Sequence, residues 1–340
     1  MQSNTNTEVV VGEGNFRYRV DENWPQLPDG VSFEEVVAIA TDSKQRVYVF
    51  NRGKIPVAVF DRSGRFISDL GVRPFVRPHG ITISPNDTIF CVDDYDHTIR
   101  AFTVEGTLLQ TLGVSGQYSS TGATTVDYRT IKHAGSPFNF PTNLAVAKSG
   151  DLYITDGYGN SRVHCFSSKG ELRGSWGEPG SGPGEFNVPH GIAIDASDRI
   201  YVADRENSRI QRFSLTGKYL DEWTDVVRPC EVFIDPDGIV YIAELGLLAG
   251  RWPGWPDRPA DAIGGRLSIF DTEGALLARW GGGKSPCAAG DFFAPHDVWV
   301  DAHGDIYVSE VIQSAGANRG LVSRECHTLQ KFSRIKDSKS

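Results

Sequence analysis

The sequence has no long apolar run, no close cysteine pair and no basic block, and each absence removes a class of protein. Its longest apolar stretches are a few residues, against the roughly 20 that a helix needs to cross a bilayer, so no membrane partner is expected. The start MQSNTNTEVV carries no charged-then-apolar export pattern. Five cysteines, Cys91, Cys165, Cys230, Cys287 and Cys326, are odd in number and lack C-x-x-C spacing. That argues against a disulfide framework and for a reducing, cytoplasmic setting. With 34 Lys and Arg against 43 Asp and Glu the formal charge is −9, which repels phosphate backbones and makes nucleic acid a poor partner. Methionine occurs once, glycine 37 times and proline 18 times, a balance that suits many short strands joined by turns.

What the sequence has is a repeat. An apolar stretch, a polar turn and an apolar-aromatic stretch closed by a polar residue recur as GITISPNDTIFCVD (80–93), NLAVAKSGDLYITD (143–156), GIAIDASDRIYVAD (191–204), EVFIDPDGIVYIAE (231–244) and DVWVDAHGDIYVSE (297–310). A weaker first copy is AIATDSKQRVYVFN (38–51). The alternation predicts two antiparallel strands per unit, and apolar runs such as 98–102 and 209–213 add a third. A fourth often ends in tryptophan, as at Trp176, Trp223 and Trp280. Four strands per unit and six units predict an all-β, six-bladed β-propeller over 16–335 as one domain, with a flexible lead at 1–15 and a tail at 336–340. The segment FRYRV, Phe16–Val20, is expected to supply the missing last strand and close the ring. Two insertions, 110–140 and 246–265, interrupt the spacing; long loops of this kind serve as covers or specificity elements, or as plain surface loops.

The residue before each repeat forms an anchor column: Val37, His79, Thr142, His190, Cys230, His296. Histidine occupies alternate blades, about 120° apart in a six-fold ring, so three imidazoles are expected to converge on the channel. Three neutral imidazoles with an open fourth position suit catalytic Zn²⁺, although ligand type alone leaves iron, cobalt or copper open. Cys230 shares the column and is read as a small buried residue, with metal ligation as the alternative. Arg52 and Arg205 stand at equivalent positions in blades one and four, on opposite walls, and would together receive a carboxylate; ion-paired turn arginines are the plainer reading. Tyr158 occupies the comparable turn in blade three, where a metal and two arginines would lower its pKa.

The runs RPHGITIS, TDGYGNSRV, NVPHGIAIDASDRIYVADRENSRIQRF and FFAPHDVWV resemble the peptidyl-α-hydroxyglycine α-amidating lyase family over nearly the whole chain. The resemblance implies an NHL-type six-bladed propeller with catalytic Zn²⁺ on His79, His190 and His296. It implies Tyr158 as catalytic base and Arg52 and Arg205 as active-site arginines. It also implies a structural Ca²⁺ on the backbone carbonyls of Ile39 and Ile81 and the carboxylate of Asp297, unless Asp297 instead orients an imidazole. The reaction implied is C–N cleavage of an N-acyl-α-hydroxyglycine to an amide and glyoxylate. Gly159 and Tyr201 stand where secreted members of the family carry disulfide cysteines. These 340 residues hold no hydroxylating unit, so a separate upstream enzyme is expected to make the substrate, either a peptide or a small ureidoglycolate-like metabolite. Two rivals remain: a non-catalytic NHL scaffold, and a calcium-dependent lactonase, whose Glu, Asp and Asn ligands the anchor column lacks.

Overall fold

The computed structural model describes residues 8–251 and 261–336. Six antiparallel sheets are arranged radially, and their inner strands Val36–Thr41, Pro78–Ile83, Pro141–Val146, Pro189–Ile194, Pro229–Ile234 and Pro295–Val300 contact one another in a closed ring. The second strand of each blade, such as Val47–Asn51 or Leu152–Asp156, is buried throughout or, at Arg199–Asp204, at all but its first residue, because a neighbouring blade covers each face. Outer strands are more exposed because they lie at the edge of the blade that meets solvent, and Tyr219–Trp223 alternates between half-buried and exposed residues. The core is therefore a set of layers between blades. One joins Val92 and Ile99 to Leu144, Ile154 and Phe166, and the next joins Tyr153 and Val163 to Ile192, Val202 and Phe213.

The last blade closes through the N-terminal segment. Phe16–Val20 pairs with Leu329–Arg334, and Val10–Glu13 adds a fifth strand outside it. Residues 10–13, expected to belong to a flexible lead, are thus part of the sheet, since pairing satisfies backbone groups that a loose end would leave to water.

Two side-chain devices explain the repeat. The aspartate at the inner turn accepts a tyrosine hydroxyl from the facing strand: Tyr48 to Asp42, Tyr201 to Asp195 and Tyr241 to Asp235 at 3.1 Å, Tyr307 to Asp301 at 3.2 Å. The closing polar residue caps the loop that leads into the same blade. Asn51 accepts from the amides of Glu34 and Glu35, Asp93 from Val76 and Arg77, Asp156 from Asn139, Asp204 from Asn187, Glu244 from Val227, and Glu310 from Phe293 and Ala294. Each cap holds the segment that delivers an anchor residue.

The expected absence of disulfides is corrected. Cys287 and Cys326, 39 residues apart, form a disulfide with Cα atoms 4.8 Å apart. They lie in the loops that precede and follow the hairpin Pro295–Val300/Ile306–Glu310, and the blade brings those loops together. Sequence spacing does not reveal that proximity. The other three cysteines are free. Among the described residues no helix is long and apolar enough to cross a membrane.

Candidate metal centre

Every anchor residue sits at an irregularity in the pairing of its inner hairpin. The register shifts between Val36 and Ala38, Pro78 and Ile81, Pro141 and Asn143, Pro189 and Ile192, Pro229 and Glu231, and Pro295 and Asp297. A bulge re-aims its side chain out of the regular alternation. In blades two, four and six that side chain is histidine.

His79, His190 and His296 are 1%, 1% and 4% exposed. Their ring centroids form a near-equilateral triangle with sides of 4.9, 4.8 and 4.8 Å, and one nitrogen from each lies within 4.8 Å of the others. The Nδ1 atoms bond backbone carbonyls: His79 to Thr142 at 2.7 Å, His190 to Cys230 and His296 to Val37 at 2.8 Å. A carbonyl only accepts, so each Nδ1 carries the proton and each Nε2 keeps its lone pair. The intervening blades thus take part: the anchor residues Val37, Thr142 and Cys230 supply the carbonyls that fix the tautomer of their histidine neighbours. Asp297 makes no hydrogen bond to any of the three rings among the described residues, so its alternative role as an orienting carboxylate is corrected. The Cys230 thiol is pushed up to about 11 by burial and lies outside the nitrogen cluster; its backbone oxygen does the work.

The glycines after His79 and His190 are required by the same contacts. A Cβ on Gly80 would lie 2.8 Å from the Thr142 oxygen, and one on Gly191 would lie 2.6 Å from the Cys230 oxygen. Any side chain there would displace the carbonyl that holds the imidazole.

Burial, with the arginines nearby, drives all three imidazoles toward the neutral form: His79 and His190 fall well below the usual range and His296 to about 3. Tyr158 Oη lies 3.0 Å from His190 Nε2 and 3.2 Å from His79 Nε2, and accepts from Arg205 Nη1 at 3.3 Å. One phenolic proton can satisfy one of the two lone pairs, and His296 Nε2 has no hydrogen bond among the described residues. Three converging neutral nitrogens with too few protons between them fit a divalent cation. Burial pushes the Tyr158 phenol above its usual value, and Arg205 and Arg77 offset only part of this, so the lowering expected from the sequence is corrected: the protein's own groups leave it raised. The second cation beside it is therefore Arg77, where the sequence suggested Arg52.

Of the cluster, His296 and Tyr158 line a cavity of about 210 Å³, together with Arg52, Arg77 and Arg205 and with Val126, Cys230 and Arg319 among others. Both expected arginines line this cavity and both are ion-paired, Arg52 to Glu35 at 2.6 Å and Arg205 to Glu206 at 2.8 Å, as the plainer sequence reading expects. Of the first insertion, Thr121 donates to the Gly159 carbonyl at 2.5 Å, Val126 and Tyr128 pack against the cluster of Phe140, Tyr158 and Val188, and Val126 lines the cavity, which makes the insertion a wall of the site. Of the second, Gly250 reaches the cavity, and 252–260 lie outside the described residues.

A second cavity of about 140 Å³ in the channel is lined by Ile81, Asn143, Glu231 and Asp297. Asp297 accepts from the Ile39 amide at 2.6 Å, and the Asn143 amide donates to Glu231. Burial pushes Asp297 up to about 7 and, with repulsion from Asp297, Glu231 well above its usual range. Two buried carboxylates without a cation partner among the described residues fit a hard, oxygen-seeking ion. Sequence reasoning missed Glu231 and Asn143, although both follow their anchor residues as Asp297 does. It missed Arg77 too, which stands in RPHG two residues before His79.

A family model described as a 6-bladed beta-propeller (DUF5128) matches residues 137–240. NHL repeat-containing protein 3 of Homo sapiens is 32% identical over 317 residues, covering 86% of this chain and 81% of that protein. Peptidyl-alpha-hydroxyglycine alpha-amidating lyase 1 of Drosophila melanogaster is 26% identical over 91% of this chain and 61% of its own. Peptidylglycine alpha-amidating monooxygenase of Rattus norvegicus is 29% identical over 87% of this chain, which spans 31% of that longer protein. Among solved structures, a gluconolactonase of Xanthomonas campestris superposes with a TM-score of 0.59 over 95% of this chain and 91% of its own at 13% identity. A virginiamycin B lyase of Staphylococcus aureus gives 0.56 over 94% and 88% at 14%. At such identities the likeness is one of fold.

Proposed function

Since the chain belongs to the family of NHL repeat-containing protein 3 and has peptidyl-alpha-hydroxyglycine alpha-amidating lyases among its homologues, we propose that it is a metal-dependent carbon–nitrogen lyase. Its substrate is an N-acyl-α-hydroxyglycine, and its products are the amide and glyoxylate. The observation that carries this reading is the triangle of unprotonated Nε2 atoms with Tyr158 Oη on its rim and two arginines in the same cavity.

A Zn²⁺ ion on His79, His190 and His296 supplies Lewis acidity toward the α-hydroxyl. Arg52 and Arg205 hold the carboxylate that leaves within glyoxylate, as fixed cations that need no reorganisation during the reaction. As a phenolate held beside Arg205 and Arg77, Tyr158 Oη would take the hydroxyl proton; the O–H electron pair becomes the new C=O, the C–N pair leaves on the amide nitrogen, and Tyr158 returns the proton to that nitrogen. No water is consumed. Asp297, with the backbone at Ile39 and Ile81, and with Glu231 and Asn143 alongside, holds a structural Ca²⁺ in the channel.

The test is metal content of the purified protein together with glyoxylate release from acyl-α-hydroxyglycines and ureidoglycolate. Near-stoichiometric metal and metal-dependent glyoxylate support the lyase. Metal without glyoxylate removes the reaction, and absence of metal returns the chain to the scaffold class.

A further inference from the structure

The proposed reaction assigns Arg52 and Arg205 to one carboxylate and gives Arg77, beside Tyr158, no substrate group to bind. A buried structural arginine can spend its donors fully. Arg209, for example, bonds Asp204, Glu222 and the carbonyls of Ser181, Gly182 and Glu185. Arg77 does the opposite. Among the described residues its guanidinium makes no hydrogen bond, and it has a single ion-pair contact, Asp94 at 3.4 Å. It lies over the rings of Tyr95 at 4.8 Å and Tyr158 at 5.8 Å, its side chain is 24% exposed, and it lines the same cavity. Two aromatic rings and a buried carboxylate hold a planar fork beside the site with its donors unspent, which is the form a carboxylate receptor takes. Arg319, exposed at the rim, bonds the Arg251 carbonyl and has no acidic partner among the described residues.

The charges agree. Around the cavity Glu35 offsets Arg52, Asp94 offsets Arg77, and Glu206 is shared by Arg205 and Arg228. Among the described residues that line the cavity, Arg52, Arg77, Arg205 and Arg319 face these three acids, so its cations outnumber its anions. At about 210 Å³ the cavity is also smaller than the roughly 300 Å³ at which drug-sized pockets begin.

Resting on the lyase reading, we propose that the substrate is a small dianion: an α-hydroxyglycine whose short acyl chain carries a second carboxylate, received by Arg77 with Arg319 at the rim. Arg77 is thus a specificity determinant.

The experiment pairs turnover with binding. Glyoxylate release is compared for N-acetyl-, N-succinyl- and N-glutaryl-α-hydroxyglycine, and calorimetric binding for the corresponding N-acylglycines, which lack the hydroxyl and cannot react. The wild-type protein should prefer the acidic acyl groups by about tenfold or more, as one charge-assisted bidentate pair allows. Arg77→Gln should bring the ratio toward one, and Arg77→Lys should keep part of it. Equal binding of neutral and acidic compounds by the wild type, or a ratio that survives Arg77→Gln, overturns the proposal. The wild-type comparison decides even if a variant fails to fold. Glyoxylate without acidic preference sinks the receptor and spares the lyase; acidic preference without glyoxylate does the reverse.

Discussion

At the scale of single residues, the site depends on which groups are kept neutral and which charged. His190→Ala should abolish both metal retention and glyoxylate release, read by metal analysis and product assay on one preparation. Tyr158→Phe should retain the metal and lower kcat by about 10²–10⁴-fold, the range of a lost general base. Asp94 tests burial directly. Burial pushes its carboxyl up to about 6, with Arg77 and Arg52 pulling down, so the folded state keeps a proton that the unfolded chain releases near pH 4. That proton favours the fold below about pH 4, and the benefit is lost as pH rises through 6. In Asp94→Asn this dependence disappears, so stability relative to wild type should rise by about 2–3 kcal/mol between pH 4 and 7, measured by urea unfolding at a series of pH values.

At the scale of elements, the bulged strand start is the unit that matters. Its histidine, the following glycine and the carbonyl from the next blade form one contact set. Gly191→Ala would drive a methyl against the Cys230 carbonyl. It should cost roughly 1–3 kcal/mol and weaken metal retention although it alters no ligand, as metal titration of the variant will show. The histidines were legible because side chains repeat visibly at fixed positions. The carbonyls of Val37, Thr142 and Cys230 were not, because every residue has one and only the bulge selects which are used. The disulfide was hidden for a related reason, since Cys287 and Cys326 belong to loops that only the hairpin between them brings together. Replacing both with serine should lower stability by about 2–4 kcal/mol, measured by denaturant unfolding.

At the scale of the whole molecule, the ring is closed by pairing its two ends. Phe16–Val20 contributes Tyr18 and Val20 to the layer that holds Val298, Val308 and Phe332. Removing residues 1–20 exposes that layer and should lower the melting temperature by roughly 10 °C or more, given the several kcal/mol that burying a few large side chains supplies. Calorimetry of the shortened chain checks this. A single transition in the intact protein would support the one-domain reading. Ring closure also matters for chemistry, because His296 in the last blade bonds Val37 in the first.

The sequence by itself determined the six blades, the alternate-blade histidines and the positions of Tyr158, Arg52 and Arg205, because β periodicity and repeated side chains are written locally. Only the tertiary structure decided that Nδ1 is protonated on all three rings, that Arg77 joins Arg205 beside Tyr158, and that Glu231 and Asn143 share the channel with Asp297. Those facts depend on distances between blades, and a chain of separate repeats carries no record of how closely their inner edges approach.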